Sequence, residues 1–257
     1  MANQDQVAIV TGGGTGIGQA AVLRFAREGF TVVATGRRQE KLDDTAARAA
    51  ELQGRVIGVA GDVSQPADVE KIIAAATAAG QLKYIVNNAG VGWEYGVTKP
   101  GTMAALAETS FEHWREVMAI NLDSVYLVCH AAMPHLTVGS AIVNVSSTGG
   151  LRGMQDAHTY ATAKAGMINL TRSLARTYGP QGIRANVLAP GFTDTEMVSP
   201  VLQSERNPFA SDATRFQVTP LGRPGSPGEM ADAVYFLAVT ATYCNGSVLV
   251  VDGGSSA

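Results

Sequence analysis

Cysteine is almost absent: 257 residues carry two, Cys129 and Cys244, each inside an apolar segment. Two thiols so placed form neither a disulfide framework nor a zinc-type spacing, and they are expected to be buried and free. Histidine is nearly as sparse. His113, His130, His135 and His158 are scattered without the short repeated spacing of a metal site, so no metal centre is expected. Charge is low at 16% of residues and close to balance, with 19 basic against 22 acidic side chains. Such a composition gives no electrostatic basis for binding nucleic acid. A charge-free apolar run of about 18 residues, long enough to span a bilayer, does not occur. Residues 1–6 are polar and lack the basic and long apolar regions of a signal peptide. The expectation is a soluble, cytoplasmic protein with no membrane partner.

What the chain does have is a regular alternation of two apolar patterns. Short β-branched runs at 7–10, 31–34, 56–59, 84–86, 141–145, 183–188 and 248–251 read as strands. Helical patterns lie between them at 19–28, 40–52, 67–79, 111–135 and 158–178. Gly29 and Gly54 stand where helix-ending glycines belong, and Pro66 fits a first turn capped by Ser64. Strands this apolar on both faces require helices on both faces. The predicted fold class is therefore α/β: a doubly wound, Rossmann-like parallel sheet of about seven strands, in one domain over 1–257. Segments 92–107 and 196–228 break the rhythm, and loops of that length in a compact domain are often functional.

The first strand runs into Gly12, Gly13, Gly14, Thr15, Gly16, Ile17 and Gly18. Glycine lets backbone approach a ligand closely, and the helix that follows presents free N–H groups and a positive dipole end to a pyrophosphate. The spacing Gly12-x-x-x-Gly16-x-Gly18 differs from Gly-x-Gly-x-x-Gly, and a glycine-rich turn can be purely structural; position between strand and helix is what favours a dinucleotide. The second strand ends at Thr35-Gly36-Arg37-Arg38 with no carboxylate to hold a ribose 2′-hydroxyl. A guanidinium fork matches a 2′-phosphate, so NADP(H) is expected over NAD(H), although both arginines could simply solvate the next helix.

Tyr160 and Lys164 are four residues apart on one helix face, and Ser147 lies thirteen residues before Tyr160, just beyond a strand end. The i, i+4 spacing alone is common on helices. The chemistry nevertheless wants these types. A phenol of pKa about 10 becomes a usable acid or base if an ammonium and a bound nicotinamide cation draw the value down. Ser147 can donate to a carbonyl oxygen as charge develops on it.

Taken in order, these segments resemble the short-chain dehydrogenase/reductase family, in its 3-oxoacyl-reductase-like subgroup, from Val7 to Gly254. The glycine turn resembles the family's cofactor motif, Asp62-Val63 its adenine-contacting pair, and Asn87-Asn88-Ala89-Gly90 the motif that stabilises the sheet beside the cofactor. Asn121, Ser147, Tyr160 and Lys164 match the catalytic tetrad. Pro190, Gly191 and Thr195 resemble the segment that meets the nicotinamide carboxamide; Thr193 stands where the family often has an aliphatic residue. Val251-Asp252-Gly253-Gly254 resembles the usual C-terminal segment.

The resemblance implies Tyr160 as proton donor and acceptor, Lys164 on the nicotinamide ribose, Ser147 on the substrate carbonyl, and Asn121 holding a relay water. It implies a homotetramer built on helices 111–135 and 158–178. Between Gly90 and Asn121 the chain is about nine residues longer than many simple ketoacyl reductases. The extra length is either a neutral surface insertion, a wall of the substrate pocket or an oligomer contact. Candidate substrate residues are Trp93, Gly149, His158, Phe192 and Met197, with Asp156 beside His158. A lid is expected over 192–220, with Val198, Phe209 and Phe216 as further apolar members and Arg152, Arg206 and Arg215 as partners for an acidic group. The small-molecule substrate is expected to be a ketone or secondary alcohol, with 3-oxoacyl thioesters and sugars or polyols as alternatives. A catalytically silent cofactor-binding protein is the competing class, which the intact tetrad disfavours.

Overall fold

The structure is a computed structural model that describes residues 3, 5–205, 207 and 209–257; Arg206 lies outside these. Seven strands, β1 (Gln6–Thr11), β2 (Thr31–Gly36), β3 (Arg55–Ala60), β4 (Gln81–Asn87), β5 (Ala141–Val145), β6 (Arg184–Pro190) and β7 (Val248–Val251), form one sheet in the order β3-β2-β1-β4-β5-β6-β7. Every pairing is parallel. The order reverses between β1 and β4, which opens a crevice beyond the carboxyl ends of those strands.

Alternation along β1 shows how the core is divided. Ala8 and Val10 face one apolar cluster, which holds Phe25, Phe30, Leu42 and Leu237. Val7 and Ile9 face the other, which holds Ile72, Val128, Ile142 and Met167. Helices α1 (Gly16–Arg27), α2 (Gln39–Arg48) and α3 (Pro66–Ala79) follow the first three strands. Gly29, at φ +85°, closes α1 as expected. The cap of α3 is a correction: Gln65, not Ser64, is the N-cap, because the Ser64 hydroxyl donates to Asp62 Oδ1 at 2.7 Å instead. Helix α2 also stops short of Leu52, in a turn that lets Gly54 N donate to Ala26 O at 2.8 Å.

The segment after β4 contains a short helix, α4 (Trp93–Thr98), where only an irregular stretch was expected. The expected helix over 111–135 is present in pieces: α5 (Phe111–Met118), a π-helical turn over Ala119–Asp123, α6 (Ser124–Ala132) and a 3₁₀ turn. By length and composition Phe111–His135 could cross a membrane. Its apolar residues Val125, Val128, Cys129 and Ala132 are instead packed in the second core cluster. Helix α7 runs over His158–Tyr178 as predicted. Beyond β6 come α8 (Ser199–Leu202), α9 (Asp212–Val218) and α10 (Pro227–Tyr235). The sequence reading missed α10, although its capping box is visible as Ser226-Pro227-Gly228-Glu229.

Cys129 is buried, and desolvation pushes its thiol up to about 12. Cys244 is half-buried rather than buried. A polar thread crosses the second core: Asn87 Nδ2 donates to Asn144 Oδ1 at 2.8 Å, and Asn144 Nδ2 to Thr171 Oγ1 at 2.8 Å. It ties β4, β5 and α7 together directly beneath the crevice.

Candidate active site

The turn after β1 is shaped by close backbone approach. A Cβ on Gly18 would lie 2.1 Å from Gly12 O, so no larger residue fits there. Thr11 Oγ1 accepts from Asn88 N at 3.0 Å and Ala89 N at 2.9 Å, while Asn88 Nδ2 donates to Thr11 O at 3.0 Å. These bonds lock the β1 turn to the segment after β4. Thr15 is the N-cap of α1 without a capping side-chain bond, and the first turn of α1 carries no acidic residue. The free N–H groups there are available to an anion.

A cavity of about 400 Å³ lies over this turn. Gly12, Gly14, Thr15, Gly16 and Ile17 form its floor, Arg37, Arg38, Asp62 and Val63 one end, and Asn88, Ala89, Gly90 and Thr195 the side toward β4 and β6. Gly18 packs against Gly12 and Asn88 and does not line it. Asp62 is oriented by Ser64, whose N and Oγ donate to Asp62 Oδ1 at 2.9 and 2.7 Å. The glycine cradle and uncapped helix end fit the pyrophosphate of a dinucleotide.

A second cavity, about 170 Å³, adjoins the first. Ser147, Tyr160 and Lys164 line it together with Trp93, Gly149, Pro190, Gly191, Phe192, Thr193 and Met197. His158 lines neither cavity: two residues before Tyr160 on a helix is about 200° around the axis. Asp156 is exposed, at φ +54°.

Three observations define the chemistry. Ser147 Oγ accepts from Gly149 N at 3.0 Å, which fixes the hydroxyl at the end of β5. Lys164, only 4% exposed, donates from Nζ to Val145 O at 2.9 Å, and burial lowers its ammonium to about 8. Tyr160 is 5% exposed, and burial raises its phenol, with Ser147 pulling the other way. Burial thus acts against the lowering expected from the ammonium and a bound nicotinamide; the Lys164 Nζ lies 5.7 Å from the Tyr160 ring centre.

Asn121 is fully buried in the π turn. Its Oδ1 accepts from Val91 N at 3.0 Å and its Nδ2 donates to Val91 O at 3.2 Å, so the amide clamps the backbone just after Gly90. A Cβ on Gly90 would lie 2.6 Å from that Oδ1.

The segment after β4 reaches the pocket. Trp93 stands 5.9 Å from Tyr160 and 6.3 Å from Phe192, centroid to centroid. Glu94 and Tyr95 line the first cavity. Tyr95 and Lys99 both bond Glu116, which their donors hold below the usual carboxylate range against the opposing effect of burial. Lys41, Glu196 and Met154 are among the lining residues that the sequence reading did not name individually, although Glu196 and Met154 lie in segments expected on the substrate side. Lys41 was visible as one helical turn beyond Arg37. Glu196 gave no local signal, because its partners are Arg38 and Lys41, at 3.0 and 3.8 Å, far away in sequence. Met154 is placed by tertiary folding alone.

The family profile described as "Enoyl-(Acyl carrier protein) reductase" matches residues 12–256. The chain is 38% identical to the cis-4-hydroxycyclohexanecarboxylate dehydrogenase of Sinomonas cyclohexanicum, over 98% of this chain and 97% of that one. It is 33% identical to the 3-oxoacyl acyl-carrier-protein reductase of Thermotoga maritima, over 98% of each. A solved short-chain dehydrogenase/reductase (glucose/ribitol dehydrogenase) of Brucella melitensis superposes with a TM-score of 0.88 at 30% identity, covering 99% of this chain and 98% of that one. With the crevice, the glycine cradle and the Ser147, Tyr160 and Lys164 cluster, these matches give one conclusion: the chain belongs to the short-chain dehydrogenase/reductase family, oxidoreductases that interconvert CH–OH and C=O groups with a nicotinamide dinucleotide.

Proposed function

We propose that this protein is an NADP(H)-dependent oxidoreductase of compact ketones and secondary alcohols, with Tyr160 as the proton donor and acceptor. The observation that carries the reading is the convergence of Ser147, Tyr160 and Lys164 on a small, largely apolar cavity that opens into the dinucleotide-sized one. A bound nicotinamide dinucleotide supplies or accepts the hydride. Ser147 donates to the substrate oxygen and holds it beside the phenol. Tyr160 delivers the proton in reduction and removes it in oxidation. Lys164 contributes positive charge and binds the ribose hydroxyls, which offsets the rise that burial imposes on the phenol. Asn121 keeps the Gly90–Val91 backbone open for the cofactor and lies on the path by which protons reach Lys164.

Arg37, Arg38 and Lys41 at one end of the cavity, with no carboxylate at the end of β2, support NADP(H) over NAD(H). The second cavity is walled by Trp93, Phe192, Met154 and Met197. That wall favours a small ring or short chain over a sugar, whose hydroxyls would need polar partners. Among the relatives, one is named for a hydroxycyclohexanecarboxylate, which is of the favoured size. Another is named for 3-oxoacyl chains, and a thioester reductase is the second reading. Phe192 packs on Phe209 at 5.6 Å, which supports a lid over 192–220 on a single domain spanning 1–257. The open edge of β7 and the exposed Phe111 and Tyr126 support a homotetramer.

The test is steady-state kinetics on a panel of cyclic ketones, 3-oxoacyl thioesters and polyols with NADPH and NADH in parallel. A higher kcat/KM with NADH overturns the cofactor assignment. Tyr160→Phe is expected to lower kcat by about 10²- to 10⁴-fold with dinucleotide affinity retained; retained turnover overturns the mechanism.

A further inference from the structure

Residues 195–197 form a strap across the mouth of the larger cavity. On one side, Glu196 Oε2 lies 3.0 Å from Arg38 Nη2 and its Oε1 3.8 Å from Lys41 Nζ. On the other, Met197 O accepts from Glu94 N at 3.1 Å, and Met197 packs against Gly92. In the middle Thr195 sits over Gly16. The strap is therefore fastened at both ends, to the start of α2 by charge and to the start of α4 by backbone.

The charged end lies where the cofactor reading puts the 2′-phosphate. Arg38 is the N-cap of α2 and Lys41 lies in its first turn, so both cations add to the positive end of the helix dipole. Arg37 beside them lines the same cavity, and among the described residues no carboxylate pairs with it. One carboxylate shared between two half-exposed cations is a weak and exchangeable contact. A dianionic phosphate offers more charge and three acceptor oxygens to the same donors.

We propose that Glu196 is a cofactor-selecting residue: its carboxylate competes with a 2′-phosphate for Arg38 and Lys41, so a 2′-phosphorylated nucleotide unfastens the strap from α2 and an unphosphorylated ribose leaves it fastened. This rests on Arg38 being the 2′-phosphate ligand. Glu196 thereby narrows the margin by which the phosphorylated cofactor is preferred, because it lowers affinity for that cofactor alone.

The experiment is calorimetric binding of two probes that differ only in the phosphate, adenosine 2′,5′-bisphosphate and adenosine 5′-monophosphate. It uses the wild type, Glu196→Gln, Arg38→Met and the double variant. Glutamine keeps the size and can still accept from Arg38, so only the charge changes. Glu196→Gln is expected to tighten the bisphosphate by about three- to tenfold and leave the monophosphate within twofold. Arg38→Met is expected to weaken the bisphosphate selectively and to abolish most of the Glu196→Gln gain in the double variant. If Arg38→Met discriminates between the probes and Glu196→Gln does not, the competition is wrong while the cofactor reading stands. If Arg38→Met treats both probes alike, the cofactor reading and the proposal fall together.

Discussion

The Trp93 indole stands 5.9 Å from the Tyr160 ring at 55°, although the two residues lie on opposite sides of the central helices in sequence. Trp93 opens α4, the helix in the segment after β4, and it continues into Phe192 and Phe209 as one aromatic wall. The segment is thus part of the pocket rather than a neutral surface insertion.

Removing that wall should cost substrate binding and leave the nucleotide site intact. Trp93→Ala is expected to lower kcat/KM for a cyclic ketone by about 10- to 200-fold, mostly through KM. Adenosine 5′-monophosphate affinity, measured by calorimetry, should stay within twofold. A variant as active as the wild type would remove Trp93 from the pocket wall.

Gly90 tests the Asn121 clamp. An added Cβ would meet Asn121 Oδ1 at 2.6 Å and Lys164 Nζ at 3.4 Å. Gly90→Ala should therefore displace the amide from Val91, destabilise the fold by about 1–3 kcal/mol, and reduce turnover by more than that stability loss explains. Gly153 has nothing within 4 Å of the same position, so Gly153→Ala serves as the silent control in the same denaturant titrations.

Lys164 gives a pH dependence whose sign can be worked out. Its ordinary value of 10.5 is lowered to about 8 by burial. Between the two, the folded chain holds the lysine neutral and the unfolded chain still carries the proton. The unfolded state then binds more protons, so this group makes stability rise with pH across that window. Lys164→Met abolishes that dependence. Urea melts without nucleotide should show the stability of wild type minus variant increasing between pH 8 and 10.5, by on the order of 3 kcal/mol. A constant difference would mean that the ammonium is not desolvated.

The cap of α10 is a separable stability element. Ser226 Oγ accepts from Glu229 N at 3.3 Å, and the Glu229 carboxylate, held at about 2 by Arg223 and Ser226, returns to Ser226 N at 2.8 Å. Ser226→Ala should cost about 1 kcal/mol with kinetics unchanged. The lowered carboxylate stabilises the fold above its ordinary 4.5, and that contribution is lost as pH falls toward 2. The cost of Ser226→Ala should shrink in acid thermal melts.

The parts of this molecule that can be read from sequence are those set by local periodicity. All seven strands were found because each is apolar on both faces, and α7 was found to the residue because its pattern is long and capped by no competing turn. Ser147, Tyr160 and Lys164 were legible through the resemblance to the family, since a strand end and an i, i+4 pair are common by themselves. Three features resisted for physical reasons. Helix α4 is one and a half turns long, too short for a periodic signal. The Glu196 contacts join residues 158 positions apart. The direction of the Tyr160 shift depends on burial, which is not written in spacing. His158 was singled out by nearness in the chain to Tyr160, where a helix turns such a neighbour away.

The π turn at Ala119–Asp123 has a further consequence, for the chain's tolerance of length changes. An α-helix advances about 100° per residue, and a π turn absorbs one residue more than an α turn. The residue in excess sets the phase between α5, which buries Val117, and α6, which buries Val128 and Ala132. Shortening the chain by one residue there would let the helix run straight, at the cost of rotating either Asn121 off Val91 or the whole apolar stripe of α6 off the sheet. The irregularity therefore works as a phase-setting spacer, and single-residue deletions inside it should be far less tolerated than substitutions on the exposed side of the same helix.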